Sequence, residues 1–355
     1  MRKLVIVGTA RFLIFCFWTM CIAFFLLLPT FTSYFTTHRS LTIFTWPLLL
    51  DPLYLKQFEQ ESGIKIHLAY FESGSALLSK MEATKGRGYD LIIPDDRTLQ
   101  VLIEQGLVKK IDKTKLSFWA DILPELLNTY ADPNNEYSIP YYWGIYGIGY
   151  DSKIYDVKDL ANTWGLLFDK NPFCNTRVCM TDDPREAIMI TAQFLFGTID
   201  ALKDKQTHTL VKEALIKQKK QVEVYTILRS DSLVQNRSCG FAVIMSPDVW
   251  RLWKEHPSIQ MLVPREGSFV IIDSMAIPHV SSKDEMIYEF LNFLYRKEVI
   301  KHHIENFGFC SPLSTVVIPD QELFCPIEHF KSFDFFRNVI SDEEINELWI
   351  EVLAA

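Results

Sequence analysis

Acidic side chains in or directly after predicted strands are the residues of this chain with the clearest chemical potential. Asp183 and Glu186 lie in the turn Thr181–Glu186, which follows one predicted strand and opens a helix. Asp273 lies inside the apolar run Phe269–Ile277, where an unpaired carboxylate is costly to bury. A structural role is open for each, since Asp183 and Glu186 can form a helix cap and Asp273 can have an internal partner. The alternative is a site in which these carboxylates bind a cationic ligand.

Two positions that follow earlier strands are further candidates. Asp95 and Asp96 come after the predicted strand Tyr89–Pro94, where they either cap the next helix or line a cleft. Trp46 follows the first strand, and its ring either fills a core or attracts an ammonium group. Both positions therefore stay candidates for ligand contact beside their structural roles.

The common catalytic motifs are missing from the sequence. G-x-S-x-G, H-E-x-x-H and P-loop patterns do not occur. His302 and His303 are expected on a solvated helix face, because adjacent helical residues do not share one face. We therefore expect no enzyme activity, no catalytic residue, no cofactor and no metal site.

The charge of the chain is unevenly distributed. The 355 residues carry a net charge of −8, but the first 39 contain four basic residues and no acid, so the remainder carries −12 (the difference between −8 and +4). A body this acidic is unsuited to nucleic acid, whose phosphates need lysine and arginine. It suits a cationic solute.

The N-terminal segment has the pattern of an export signal or a membrane anchor. Arg2, Lys3 and Arg11 precede the uncharged run Phe12–Phe31. A basic start before an apolar core is typical of a secretory signal, and twenty apolar residues are also enough to span a bilayer. In both cases the body is exported, and residues 1–39 are a signal peptide or an anchor.

Cysteine usage is compatible with an oxidising compartment. The body contains five cysteines, so at least one has no partner within it. Cys174 and Cys179 are spaced for a local disulfide, whereas a zinc site is disfavoured because no second ligand pair accompanies them.

Alternating strand and helix signals predict an α/β fold with mainly parallel sheets, preceded by the N-terminal apolar helix. Segments near Trp143–Tyr150 and Phe269–Ile277 are suited to cross between two lobes. We expect a discontinuous first lobe over 40–145 and 275–355, a second lobe over 146–274, and a ligand cleft between the lobes. The strands are predicted at 41–45, 64–70, 89–94, 177–181, 241–245 and 269–277, and the helices at about 52–62, 75–84, 97–105, 184–193, 209–219, 246–253, 284–296, 298–306 and 341–352.

Short stretches from about Leu41 to the C-terminus carry a family resemblance. They are Ile43–Trp46, Phe58–Ile64, Tyr89–Pro94, Asp132–Pro140, Trp143–Gly144, Thr181–Glu186, Ile272–Pro278 and Phe290–Leu294. In this order they resemble the periplasmic spermidine/putrescine-binding proteins of bacterial ABC transporters. The resemblance implies a two-lobe periplasmic-binding-protein fold, in which carboxylates bind the ammonium groups of the ligand and aromatic rings cover its methylenes.

The resemblance also implies a set of ligand contacts. Asp183, Glu186 and Asp273 match acids of the family, and Trp46 matches one of its aromatic residues. The rest of the aromatic set is thinned: Leu49 stands for a tyrosine, Asp95 and Arg97 for a serine and a tyrosine, Met245 and Ile271 for tryptophans, and Phe309 for a tyrosine. Loss of cation–π attraction costs about 0.5–2 kcal/mol per ring. The predicted ligand-binding residues are Trp46, Asp95, Asp183, Glu186, Met245, Ile271, Asp273 and Phe309.

The expected function is that of the solute-binding component of an ABC import system for polyamines. The expected partners are a polyamine ligand and an ABC permease in the inner membrane, and the expected location is the periplasm, with the N-terminal segment associated with the membrane. Two alternatives stay open. The same scaffold can bind another cationic or metabolite ligand, or the chain can be an anchored envelope protein without a solute function.

Overall fold

The structure is a computed structural model that describes residue 18 and residues 39–168, 176–227, 230–308, 310–320, 324 and 326–355. Apart from Trp18, the predicted N-terminal apolar helix lies outside the described residues, and so does the predicted ligand contact Phe309. Within the described part of the chain, no helix has the length and hydropathy needed to cross a membrane.

Strands and helices alternate along most of the chain. The strands are β1 (Ser40–Thr45), β2 (Lys65–Tyr70), β3 (Leu91–Ile92), β4 (Ser138–Asp151), β5 (Val178–Met180), β6 (Val222–Tyr225), β7 (Phe241–Met245), β8 (Ile259–Leu262) and β9 (Val270–Ala276). The α-helices are α1 (Pro52–Ser62), α2 (Gly74–Thr84), α3 (Asp96–Glu104), α4 (Pro184–Phe196), α5 (Lys205–Gln218), α6 (Ser230–Gln235), α7 (Ser246–Trp253), α8 (Asp284–Leu294), α9 (Lys297–Phe307) and α10 (Asp342–Ala354). Short 3-10 helices cover Lys113–Lys115, Trp119–Asp121, Pro124–Leu126, Trp164–Leu167, Ile199–Lys203 and Ile327–Ser332.

The strands form one continuous sheet in the order β2-β1-β3-β9-β4-β7-β5-β6, and β8 pairs with β4 beside this path. β1, β2 and β3 are parallel, and so are β5, β6 and β7. β4 and β9 pair with each other antiparallel and join these two parallel groups. This is the predicted α/β class, in which parallel strands make each half and antiparallel strands make the crossing.

Two large apolar cores lie on either side of the crossing. The first core packs β1 against α1, α8 and α9, and the second packs β5 and β7 against α4, α5 and α10. β4 contributes to both, with Ile139 in the first core and Ile148 in the second. α10 packs into the second core although it ends the chain. The lobe boundaries predicted above stay a prediction.

Capping side chains fix several helix starts. Asp51 accepts the N–H of Leu53 ahead of Pro52, and Gly63 ends the same helix in the left-handed region at φ 70°. Asp183 caps α4 in the same manner. These ends were predicted because aspartate, proline and glycine have defined places at helix termini.

One prediction made outside the candidate site was wrong. His303 is buried rather than solvated: its Nδ1 lies 2.7 Å from the Tyr141 hydroxyl, and burial lowers its pKa to about 4. Of the cysteine pairings left open by the sequence, the structure excludes the local disulfide of Cys179, which is a buried free thiol. Cys239 is also a buried free thiol, whereas Cys310 is disulfide-bonded.

Candidate functional site

One face of the crossing strands organises the candidate site. Asp273 of β9 pairs with Tyr142 of β4, and Ile271 pairs with Gly144. Alternate residues of a strand share a face, so Tyr142, Gly144 and Tyr146 project to the same side. The crossing strands therefore present two tyrosines and a carboxylate to one surface.

Asp273 is buried beside Trp46. Its Oδ1 accepts a hydrogen bond of 3.2 Å from the Trp46 indole nitrogen, and no lysine, arginine or histidine in the described part of the chain forms an ion pair with it. Burial raises the pKa of Asp273 well above its ordinary value, and the charges of Asp95 and Asp96 raise it further. A neutral indole donor orients this carboxylate but leaves its charge uncompensated.

Asp95 and Asp96 lie close enough to Asp273 to act on it. Asp95 caps α3, because its two oxygens accept from the backbone N–H of Thr98 at 2.7 Å and from the Thr98 hydroxyl at 3.0 Å. Asp96 is 6% exposed, and its Oδ2 accepts no hydrogen bond from the described residues. Burial and the charge of Asp95 raise the pKa of Asp96 to about 8. These three carboxylates form the first acidic group of the site.

Glu186 and Asp183 form a second acidic group at the start of α4. Glu186 accepts from the Tyr146 hydroxyl at 2.6 Å and from the Thr181 hydroxyl at 2.5 Å. Burial, followed by the charge of Asp183, raises the pKa of Glu186 to about 8. Asp183 accepts the backbone N–H groups of Arg185 and Glu186, which confirms its cap but leaves its second oxygen available. Among the residues that the structure describes, no lysine, arginine or histidine forms an ion pair with Glu186 or Asp183 either.

Each of the two tyrosines lies near one of the acidic groups. Burial, then the charges of Asp248 and Asp273, raise the pKa of Tyr142, and burial, then Glu186, raise that of Tyr146. Tyr146 lies four positions after Tyr142 in the strand, which places their Cα atoms about 13 Å apart. The face can hold a cation at each end and an apolar stretch between them.

The remaining predicted contacts have intermediate burial. Met245 ends β7 and pairs with Tyr146, and Ile271 pairs with Gly144. Both therefore lie at the crossing, next to the tyrosines. Leu49 is buried in the first core instead.

Two arginines lie next to the acidic groups in the sequence, but both form ion pairs with another carboxylate. Arg185 lies 2.5 Å from Asp342, and Arg97 lies 3.6 Å from the same carboxylate. Asp342 thus joins α3 of the first half to α4 of the second through two ion pairs. Neither guanidinium forms an ion pair with Asp273 or Glu186.

Sequence reasoning did not identify Tyr142, Tyr146 or Tyr130 as site residues. Tyr146 lies inside the predicted extended segment Trp143–Tyr150 and Tyr142 directly precedes it. Their even spacing of four positions was a usable signal, because in a strand it places both on one face. Tyr130 lies in a loop next to Asp96, and no local pattern marks it. Among the described residues, no group of three or more histidine, cysteine, aspartate or glutamate side chains is placed to hold a metal ion.

Comparison with known proteins places this chain in a family. Residues 54–323 match the family model of the bacterial extracellular solute-binding proteins. The spermidine/putrescine-binding periplasmic protein of Escherichia coli is 27% identical over 325 residues, which cover 90% of this chain and 92% of that protein.

Solved structures agree on the fold. A spermidine/putrescine ABC transporter substrate-binding protein from Streptococcus pneumoniae superposes with a TM-score of 0.78 at 24% identity, over 89% of this chain and 99% of that one. An iron-bound protein from Pseudomonas aeruginosa superposes with a TM-score of 0.67 at 18% identity, over 88% of this chain and 99% of that one. The fold alone therefore does not select the ligand. The chain belongs to the bacterial extracellular solute-binding protein family, and it is a solute-binding transport protein and not an enzyme.

Proposed function

We propose that this chain captures a polyamine, with spermidine favoured over putrescine, for an ABC import system. The observation that carries the proposal is the pair of acidic groups around Asp273 and Glu186. Each contains a buried carboxylate whose hydrogen-bond donors are uncharged. A buried charge is normally paired, so a ligand with two or more ammonium groups is the missing partner.

The shape of the face supports a long, flexible cation. Asp273, with Asp95 and Asp96, would bind one ammonium group, and Glu186 with Asp183 would bind another. Trp46, Tyr142 and Tyr146 would lie along the carbon chain, where aromatic faces also attract ammonium groups. The two groups together hold five carboxyl groups, and spermidine carries three ammonium groups where putrescine carries two, which favours spermidine.

Ligand capture would involve closure of two lobes about the crossing strands β4 and β9. The loaded protein would then dock on a permease of the inner membrane, and the polyamine-binding names of the curated relatives support this role. The body would act in the periplasm, with residues 1–39 as a cleaved signal or an anchor.

A ligand series tests the proposal. The purified full chain is titrated in a calorimeter with spermidine, spermine, putrescine, butylamine and butanediol. Putrescine, butylamine and butanediol share a four-carbon chain and differ in whether they carry two, one or no ammonium groups. We expect saturable one-to-one binding of spermidine, weaker binding of putrescine, and no binding of butanediol.

The same series separates the alternatives. Absence of binding to every polyamine would overturn the proposal and favour a different ligand or an envelope protein without a solute function. The thinned aromatic set, with Met245 and Ile271 at predicted tryptophan positions, is the observation that favours another cationic ligand. Arginine and agmatine are therefore included in the series.

A further inference from the structure

An open pocket with a volume of about 640 Å³ lies on the first half of the molecule, away from the candidate polyamine site. Its lining includes Thr42 of β1, the loop Lys85–Asp90 before β3, and the loop His279–Lys283 before α8. Tyr89 and Asp90 of the pocket precede β3, whereas Trp46 and Asp95 of the polyamine site come after the C-terminal ends of β1 and β3. The pocket and the polyamine site are thus at opposite ends of these parallel strands.

The pocket is basic in a chain whose body is acidic. Lys85, Arg87 and Lys283 line it, and Asp90 is the one carboxylate among its lining residues. Asp90 is neutralised: it accepts from Lys283 Nζ at 2.9 Å, from the Ser281 hydroxyl at 3.1 Å and from the Thr42 backbone N–H at 2.8 Å. The charges of Lys85 and Arg87 remain.

Lys85 and Arg87 are exposed, and neither side chain forms an ion pair or hydrogen bond within the described part of the chain. The Ser282 hydroxyl, also in the lining, is similarly unengaged there. One lysine, one arginine and one hydroxyl facing a common pocket match the oxygens of a phosphate group, which arginine and lysine bind through charge-assisted hydrogen bonds.

The place where the chain enters the fold suggests where the phosphate comes from. Lys283 Nζ also donates to the backbone carbonyl of Ser40, the first residue of β1, so the pocket adjoins the point where the N-terminal segment meets the body. Only eight residues separate the apolar run Phe12–Phe31 from Ser40. Fully extended, they span about 30 Å. An apolar segment held in a bilayer would keep the pocket within reach of lipid headgroups.

We propose that this pocket binds the phosphate of an anionic phospholipid headgroup and so orients the body against the membrane. This phosphate site and the candidate polyamine site share no residue, so the proposal does not depend on polyamine binding. A soluble phosphate ester offers the same chemistry, and the test below distinguishes the two sources.

The test compares the full chain with the double variant Lys85→Gln/Arg87→Gln. A matched control is Lys56→Gln/Lys80→Gln, which removes the same charge from exposed positions on α1 and α2 of the same half.

Each protein is reconstituted in vesicles of phosphatidylcholine with or without phosphatidylglycerol. Acetylation of Lys85 is followed by mass spectrometry in the wild type and the control, with exposed Lys153 as an internal reference. In a second arm, inorganic phosphate and glycerol phosphate are titrated in neutral vesicles.

We expect phosphatidylglycerol to slow the acetylation of Lys85 several-fold relative to Lys153, in the wild type and in the control. Glycerol phosphate should bind the wild type and the control, and the Lys85→Gln/Arg87→Gln variant about tenfold or more weakly, as expected for loss of charge-assisted hydrogen bonds. Binding of the soluble esters without protection by the lipid would overturn the lipid source. Absence of both effects, or equal binding by all three proteins, would overturn the site. Spermidine binding, measured on the same samples, should be equal in all three.

Discussion

Buried carboxylates with uncharged donors are the chemical centre of the candidate site. Asp273 accepts from an indole, and Glu186 accepts from two hydroxyls. None of these donors neutralises a negative charge, so burial raises the pKa of both acids, that of Glu186 to about 8. An ammonium group beside each acid would supply the opposite charge and bring both pKa values down.

Replacement of Asp273 by asparagine tests the first acidic group. We expect Asp273→Asn to weaken spermidine binding about tenfold or more, because a ligand ammonium loses its buried partner. The stability of the ligand-free protein should be unchanged or higher, since a buried unpaired carboxylate is removed while the oxygen that accepts from Trp46 is kept. Calorimetric titration and urea unfolding measure the two effects.

A surface substitution with the same charge change provides the control. Asp159 is exposed and has no side-chain hydrogen bond among the described residues, so Asp159→Asn should leave both affinity and stability unchanged. Equal affinity of Asp273→Asn and Asp159→Asn would remove Asp273 from the site.

The raised pKa of Glu186 predicts a pH dependence of stability. Its pKa is about 8 in the folded protein, against an ordinary value of 4.5. The contribution of the protonated form to stability is therefore fully present below about pH 4.5 and is lost as the pH rises through about 8. The ligand-free protein should have a lower melting temperature at pH 9 than at pH 6 in part for this reason, and Glu186→Gln should flatten that difference. Superimposable melting profiles of wild type and Glu186→Gln would show that Glu186 is ionised throughout.

At the residue scale, sequence patterns predicted roles where the role is local. The cap at Asp183 could be predicted because its partners, Arg185 and Glu186, are two and three residues away. The pairing of Asp273 with Trp46 joins residues 227 positions apart. The local pattern left both as candidates beside a structural role, and the family resemblance then favoured them as ligand contacts. Burial of His303 depends on Tyr141 and was not predictable from its own helix.

Strand β4 is the element on which the site depends most. It pairs with β9, β7 and β8, and its glycines allow these neighbours to approach closely. A Cβ at Gly147 would lie 2.9 Å from the Leu262 carbonyl oxygen and 2.7 Å from Met261 Cγ. At Gly149 the nearest atom would be Ile244 Cγ2, at 3.0 Å.

These contacts predict a graded response to alanine. Gly147→Ala should lower the free energy of unfolding by about 1–3 kcal/mol, because the Leu262 backbone must move. Gly149→Ala should cost less, since a side chain can shift instead. Urea unfolding of both variants measures the order, and a larger cost for Gly149→Ala would contradict the placement of β8 against β4.

Element boundaries were predicted best where caps mark them. α1 and α7 match their predicted ranges because aspartate, proline and glycine signals lie at the ends of α1 and Ser246-Pro247 opens α7. β6 and β8 were not predicted: each has four residues and only a short apolar pattern. β3 is limited to Leu91–Ile92, although the apolar run around it is longer.

At the scale of the whole molecule, the crossing strands connect the two acidic groups. The first group lies on α3 of the first half and on the crossing strand β9, and the second lies on α4 of the second half. A cation bound to both groups would hold the halves together. Asp342 already bridges Arg97 and Arg185 across the same boundary, but its side chain is 75% exposed, so solvent weakens these pairs.

Proton release on ligand binding tests the central claim most directly. Spermidine is titrated into the full chain at neutral pH in two buffers whose ionisation enthalpies differ, and the difference in heat counts the protons exchanged. We predict saturable binding with net release of protons, because the ligand converts protonated Glu186, whose pKa is about 8 in the ligand-free protein, to its carboxylate. Glu186→Gln should release fewer protons. Saturable binding with no proton release, or no binding at all, would contradict the assignment of these buried acids as the polyamine site.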